Sequence, residues 1–166
     1  MKKILSAALS AVMLLAMTGT AFASYEEAID YVTDRQYMVG TISGFEADGS
    51  VTWAIACQTL YNLAGKPDVS DTTPSADAAG RWYADAAAWA KKTGLIKDAA
   101  FRGDAPVTGQ ELTELVHNYA SAIGKSCQED AVVSGQSVTR VQLAQLLYTC
   151  APWNESYTEE TVTFSY

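Results

Sequence analysis

The stretch VTRVQLAQLLY, residues 138–148, decides the fold of this chain. Thr139 stands where a helix N-cap belongs, because a threonine oxygen accepts a hydrogen bond from a free backbone N–H of the first turn. Gln142, three residues later, completes a capping box by reaching back to the N–H of the cap residue. Apolar residues then recur at the spacing of one helix face, at Leu143, Leu146, Leu147 and Cys150. The stretch therefore predicts an amphipathic helix with a defined start.

The same pattern of valine, threonine and amphipathic helix occurs twice more, as VTWAIACQTLY at 51–61 and VTGQELTELVH at 107–117. The later of these two has its own capping box, Thr108 with Glu111, whereas Thr52 caps the earlier one alone. Each copy follows a loop that contains glycine. Three copies of one pattern in a chain of this length indicate an internal repeat.

A further helix is predicted upstream of the first two copies. Residues 82–96 are rich in alanine, which favours helix, and Gly94 is a natural C-terminal stop. Residues 28–38 repeat this helix more weakly, and only the short stretch 125–133 precedes the third copy. One unit of helix, loop and capped helix cannot bury its apolar face alone, so the units should stack around a shared core. The sequence therefore predicts an all-α, single-domain fold.

The N-terminus has the pattern of a secretory signal peptide. Lys2 and Lys3 precede a charge-free apolar run over 4–17, and Ala21 and Ala23 stand at the small positions of a cleavage site. The alternative, a membrane-spanning helix, needs a longer run. Cleavage after residue 23 removes two lysines and no acids, so the formal charge of −8 becomes −10. We expect an exported chain without membrane insertion after cleavage.

Composition excludes several function classes. The chain has 11 Lys and Arg against 19 Asp and Glu, whereas nucleic-acid binding requires a basic face. The single histidine, His117, has no recognisable catalytic partner, so we expect neither an enzyme nor a cofactor. No Cys or His stands at ligand spacing, so no metal site is predicted. Export permits disulfides, and Cys127 and Cys150 are a possible pair, bonded or free, while Cys57 is expected to be a buried thiol.

These units resemble the S-layer homology (SLH) domain family. The resemblance rests on the helix around 82–90, on the turn after Ile96 and above all on residues 138–144. It implies three repeats around a pseudo-threefold axis, with the third short and degenerate. The implied boundaries are a signal peptide at 1–23, an SLH-like domain at 24–151 with repeats at about 25–66, 80–124 and 125–151, and a C-terminal tail at 152–166.

The resemblance also implies a function, which is non-catalytic attachment to bacterial cell-wall secondary polysaccharide at the cell surface. In that family the Thr-Arg pair at the second helix start binds the polymer, so Thr139 and Arg140 are expected binding residues, with the arginine meeting an acidic sugar group. The alternative for Arg140 is a solvated residue that follows the helix cap. A helix N-terminus and a guanidinium fork both suit a carboxylate. Trp53, at the position matching Arg140, is able to stack on a sugar ring. Trp82 is a further candidate, with packing in the core as its alternative.

Two departures from the family pattern keep a second interpretation open. Gly109 and Trp53 replace the basic residue in the other two copies, so one or two working grooves at most are expected. The acidic net charge repels an acidic polymer at long range. Against this, we expect a local basic patch on the middle unit, formed by Arg81, Lys91, Lys92, Lys97 and Arg102. The alternative function is a degenerate SLH-like module that contacts other surface proteins or has a structural role.

Overall fold

In a computed structural model, the chain is described over residues 24–151 and at Trp153. This part contains five helices, which are α1 (Tyr25–Asp34), α2 (Trp53–Leu63), α3 (Ala84–Lys92), α4 (Gly109–Ala122) and α5 (Arg140–Thr149). No extended strand occurs among these residues, so the all-α prediction is confirmed for them. The predicted signal peptide, and the tail apart from Trp153, lie outside the described residues.

The three predicted helix starts are confirmed. The side chains of Thr52, Thr108 and Thr139 each accept a hydrogen bond from the backbone N–H three residues later. In return, the backbone N–H groups of Thr108 and Thr139 donate to the side-chain oxygens of Glu111 and Gln142, which completes capping boxes at α4 and α5, while α2 has none. These bonds satisfy N–H groups that a helix start otherwise leaves without a partner. A further capping box, of Ser24 with Glu27, begins α1 and was not predicted.

The two upstream helices are shorter than predicted. The helix expected over 28–38 ends at Asp34, because Gln36 takes a left-handed conformation with φ of 56° and stops the helical turn. The helix expected over 82–96 begins only at Ala84 and ends at Lys92. Gly94 then takes φ of 73°, as a C-terminal stop requires. As a result, Trp82 lies outside α3, although the sequence predicts it within this helix.

The three capped segments are joined in a closed cycle of hydrogen bonds. The first residue of each capped helix donates its backbone N–H to a carbonyl in the loop that precedes the next capped helix. Trp53 of α2 donates to Ala105 before α4 (3.1 Å), and Gly109 of α4 donates to Gly135 before α5 (2.9 Å). Arg140 of α5 closes the cycle by donating to Gly49 before α2 (2.8 Å). Val51, Val107 and Val138 lie buried inside this cycle. Val51 donates to the carbonyl of Val138 (2.8 Å) and accepts from Val107 (3.2 Å). All three copies therefore share one central contact.

Each upstream helix packs against a capped helix of a different copy. α3 packs against α2, and α1 packs against α5. The third copy lacks an upstream helix, and an irregular segment around Ala131–Val133 lies against α4 in its place. There the N–H of Val133 donates to Thr113 Oγ1 (2.9 Å), and His117 Nε2 lies 2.8 Å from the carbonyl of Ala131. The helices thus stack between different copies, and not between the upstream helix and the capped helix of one copy.

A row of aromatic rings in contact links the helices through the core. Trp89 of α3 lies 5.8 Å from Tyr61 of α2 and 5.8 Å from Tyr119 of α4, between ring centroids. The ring of Trp153 continues this row at 5.8 Å from Tyr119, and its indole N–H donates to the carbonyl of Leu147. Such ring pairs add about 0.5–1.5 kcal/mol each beyond area burial. Trp89 is therefore a core residue.

Candidate functional site

An open cleft of about 520 Å³ lies between α4 and the loop that follows α3. Trp53 and Phe101 give it aromatic surface, and Lys97, Arg102 and Asn118 give it groups that can donate hydrogen bonds. A concave site with aromatic walls and a few polar groups is the usual form of a small-molecule or sugar site. This cleft is the candidate functional site.

Trp53 is held in the cleft by the backbone of the neighbouring copy. It is the first residue of α2, and its N–H and that of Ala54 donate to the carbonyls of Ala105 (3.1 Å) and Gly103 (2.9 Å). Gly103 is required here, because a Cβ at this position would lie 2.5 Å from the ring of the buried Tyr83. The indole is half-buried. Gly103 thus lets the loop approach Tyr83 closely, and the two backbone hydrogen bonds hold this loop to the start of α2.

The same loop is anchored by a carboxylate. Asp77 accepts hydrogen bonds from the backbone N–H groups of Arg102 (2.8 Å) and Phe101 (3.2 Å). These backbone hydrogen bonds, above all the one from Arg102, lower the pKa of Asp77 from 3.8 to about 2. Hydrogen bonds to the ionised form favour it, so Asp77 remains charged at neutral pH. The wall of the cleft that carries Arg102 is therefore fixed by ionised Asp77.

The charges of the cleft are mixed. Arg102 pairs with Asp98 (3.1 Å), with both side chains exposed. Glu111 is engaged in the capping box of α4, and Glu114 accepts from Gln110 (2.8 Å). Two cationic and three anionic side chains line the cleft. Such a lining suits a polar, uncharged or weakly acidic ligand better than a strongly anionic one.

Arg140, the expected ligand clamp, bonds instead to the protein's own backbone. Its Nε donates to the carbonyl of Phe45 (2.8 Å) and its Nη2 donates to that of Val39 (2.7 Å). The guanidinium also lies over the Phe45 ring, 4.8 Å from the centroid. Partial burial lowers the pKa of Arg140, while Glu46 acts in the opposite direction. Arg140 therefore holds the loop between α1 and α2 in place.

The four predicted binding residues do not share this cleft. Thr139 uses its hydroxyl oxygen as the N-cap of α5. Trp82 is 67% exposed, with its ring edge-on to Tyr83 at 5.2 Å, so it is neither in the core nor in the cleft. Of the four, Trp53 alone lines the cleft described above.

Acidic side chains pair with most of the basic residues in the expected patch. Three of its five members form exposed ion pairs with acids, Arg81 with Asp104 (3.9 Å), Lys92 with Asp71 (2.6 Å) and Arg102 with Asp98 (3.1 Å). Exposed pairs of this kind add about 0–1 kcal/mol to stability. Their main effect is to reduce the positive potential available to an acidic polymer.

The start of α4 is covered rather than open. A Cβ on Gly109 would lie 2.5 Å from the carbonyl oxygen of Val133 and 2.7 Å from the carbonyl carbon of Ser134. The absence of a basic side chain at this position therefore has a steric cause. The segment that replaces the missing helix leaves no room for one.

A second group of reactive side chains lies between α4 and α5. Cys127 and Cys150 are joined by a disulfide, with their Cα atoms 4.5 Å apart. A ring nitrogen of His117 and the two sulfur atoms all lie within 4.8 Å of one another. The sequence predicts no metal site, because the three residues are 10 and 23 positions apart and match no ligand spacing. Only the fold brings them together.

Comparison with protein-family models finds no match for this chain. Comparison with curated proteins finds none either. Within residues 24–151 and Trp153, no helix has both the length and the apolar character that crossing a membrane requires.

Proposed function

We propose that this protein is an exported SLH-like module that attaches, without catalysis or cofactor, to secondary polysaccharide of a bacterial cell wall. The support for an SLH-like, pseudo-threefold arrangement is the closed cycle in which Trp53, Gly109 and Arg140 each bond to the next loop. The support for export is the N-terminal sequence pattern.

The observation that carries the binding proposal is the position of Trp53 in the open cleft. Its half-buried indole presents a flat apolar surface beside Lys97 and Asn118, which can donate hydrogen bonds to sugar hydroxyls. The carboxylates of Glu114 and Asp98 can accept from such hydroxyls. We therefore place polymer binding at this cleft, with Trp53 as its stacking surface.

Arg140 and Thr139 then act by positioning. Thr139 fixes the start of α5, and Arg140 fixes the loop that contains Phe45. Neither needs to touch the polymer in this proposal. The acidic net charge repels an acidic polymer at long range, so affinity comes from short-range contacts. Added salt screens this repulsion and should therefore not weaken binding.

The test is co-sedimentation of the purified protein with cell walls of the source organism, intact or stripped of their secondary polymer. Trp53→Ala should weaken binding to intact walls by about tenfold or more, equivalent to about 1.4 kcal/mol. Trp82→Ala is the matched control, because it removes an exposed indole outside the cleft. Circular dichroism checks that both variants remain folded.

Binding to intact but not to stripped walls, with Trp53→Ala impaired and Trp82→Ala unaffected, supports the proposal. Equal losses in both variants would place the polymer elsewhere on the surface. If the wild-type protein binds neither kind of wall, polysaccharide attachment is wrong. Contact with another surface protein then becomes the leading alternative.

A further inference from the structure

The disulfide between Cys127 and Cys150 lies beside the only histidine of the chain. The three residues come from separate parts of the fold: His117 from α4, Cys127 from the segment after it, and Cys150 from the C-cap of α5. Nothing in the polysaccharide proposal uses them. Two sulfurs and an imidazole are ligands that Zn²⁺ and related thiophilic cations prefer.

The hydrogen bond of His117 suits a metal ligand. Its Nε2 lies 2.8 Å from the carbonyl oxygen of Ala131, so this nitrogen carries the proton and donates. Nδ1 of the neutral ring is then left with its lone pair. Metal-binding histidines usually donate their other N–H to a carbonyl or carboxylate in this way, which fixes ring orientation and tautomer.

We propose that His117, Cys127 and Cys150 form a redox-gated site for a thiophilic divalent cation such as Zn²⁺. The oxidised protein holds the disulfide and cannot bind the ion through thiolates. The reduced protein offers two thiolates and one imidazole, and water completes a tetrahedral set. The site is thus available only after reduction.

The chemistry balances with a dithiol as reductant. Its two electrons break the Cys127–Cys150 bond, its two protons go to the sulfurs, and the reductant becomes a disulfide. Zn²⁺ then displaces the two thiol protons as two Zn–S bonds form, and His117 adds a neutral nitrogen ligand. Net, one ion binds and two protons are released.

The required movement is small. Ligand atoms around tetrahedral Zn²⁺ lie about 3.6–3.8 Å apart, given bonds of about 2.3 Å to sulfur and 2.0–2.1 Å to nitrogen. The present atoms lie within 4.8 Å of one another, so the sulfurs must separate while the imidazole stays near its place. Cys127 lies outside any helix and is half-buried, which gives it room to move. Cys150 and His117 are fixed by α5 and α4.

The test titrates full-length protein with Co²⁺ and then Zn²⁺ after reduction by a dithiol and its removal under nitrogen. The reduced protein should bind one equivalent of Co²⁺ with thiolate-to-metal charge-transfer absorption, which Zn²⁺ abolishes. About two protons should be released per Zn²⁺ near neutral pH, since free thiols have a pKa near 8.5. The oxidised protein should show no such absorption.

Variants separate this site from non-specific binding. Cys127→Ser should abolish the absorption, and His117→Gln should weaken Zn²⁺ binding at least tenfold, because it keeps a donor toward Ala131 but removes the ligand nitrogen. Cys57→Ala is the matched control, since Cys57 is fully buried in α2, away from the disulfide. It should leave stoichiometry and affinity unchanged.

Several results would overturn the proposal. One is reduced wild-type protein that binds no Co²⁺. Another is a His117→Gln variant whose affinity stays within threefold of wild type, which would indicate a site without the histidine. Circular dichroism addresses folding: if reduction unfolds the chain, Zn²⁺ must restore the helical signal, and its failure to do so also refutes the site.

Discussion

Gly109→Ala tests whether the segment in place of the missing helix really closes the start of α4. The added Cβ would lie 2.5 Å from the carbonyl oxygen of Val133 and 2.7 and 2.8 Å from two backbone atoms of Ser134. These are backbone atoms, which cannot rotate away as a flexible side chain can. Either α4 or the segment must therefore move, and the N–H bond from Gly109 to Gly135 lies at the same point.

Two effects of opposite sign determine the size of the change. Helix propensity alone favours alanine over glycine by at most about 1 kcal/mol. Overpacking against fixed atoms costs about 1–3 kcal/mol, and loss of the bond to Gly135 costs about 1 kcal/mol more. We expect a net destabilisation of about 2 kcal/mol, or roughly 6–10 °C in Tm for a domain of this size.

The assay is urea unfolding followed by circular dichroism, with Gln110→Ala as the control in the same helical turn. Gln110 makes one exposed hydrogen bond, to Glu114, so its loss should cost less than about 0.5 kcal/mol. The midpoint of Gly109→Ala should fall without a change in m-value. If Gly109→Ala is as stable as wild type or more stable, the reasoning is refuted. The added Cβ then meets no close backbone atom of Val133 or Ser134, and only the gain in helix propensity remains.

Three further predictions concern the disulfide, Arg140 and Asp77. Reducing the Cys127–Cys150 bond in metal-free buffer should lower the free energy of unfolding by about 3 kcal/mol, because the unfolded chain regains the entropy of a loop with 23 residues of separation. Urea unfolding with and without reductant measures this difference. Arg140→Ala should lower the free energy of unfolding by about 2 kcal/mol, because two hydrogen bonds to carbonyls are lost. Arg35→Ala is the control in the same melting assay: it removes one long exposed hydrogen bond and a cation–π contact, both to Tyr31, and should cost less than about 1 kcal/mol. In the folded protein Asp77 has a pKa of about 2, below its ordinary 3.8. Ionised Asp77 therefore stabilises the fold above pH 4, and this contribution disappears as the pH falls toward 2. The Asp77→Asn variant should lose this part of the pH dependence of the urea midpoint.

The helix starts could be predicted because their interactions are local. A cap such as Thr108 and its partner Glu111 are three residues apart, so the sequence pattern contains both ends of each bond. The ends of α1 and α3 were predicted less well. The left-handed turn at Gln36 is adopted by a non-glycine residue, and no sequence rule distinguishes it in advance.

The role of Arg140 shows why the site was harder to predict than the fold. Its two hydrogen-bond partners lie 95 and 101 residues earlier in the chain. The sequence alone shows no partner for an arginine after a helix cap, and therefore predicts that it is free to bind a ligand. Only the closed cycle of the three copies places the loop of Phe45 against it.

The sequence by itself determined the all-α class, the three capped helices and the absence of an upstream helix in the third copy, because each depends on neighbours within about one helical turn. Tertiary structure alone decided which copy each helix packs against, that Trp53 rather than Arg140 lines the cleft, and that His117 lies beside the disulfide. These outcomes depend on groups distant in sequence that meet only when the copies bury their apolar faces together. Local patterns specify where a helix begins, whereas the shared core specifies what its side chains contact.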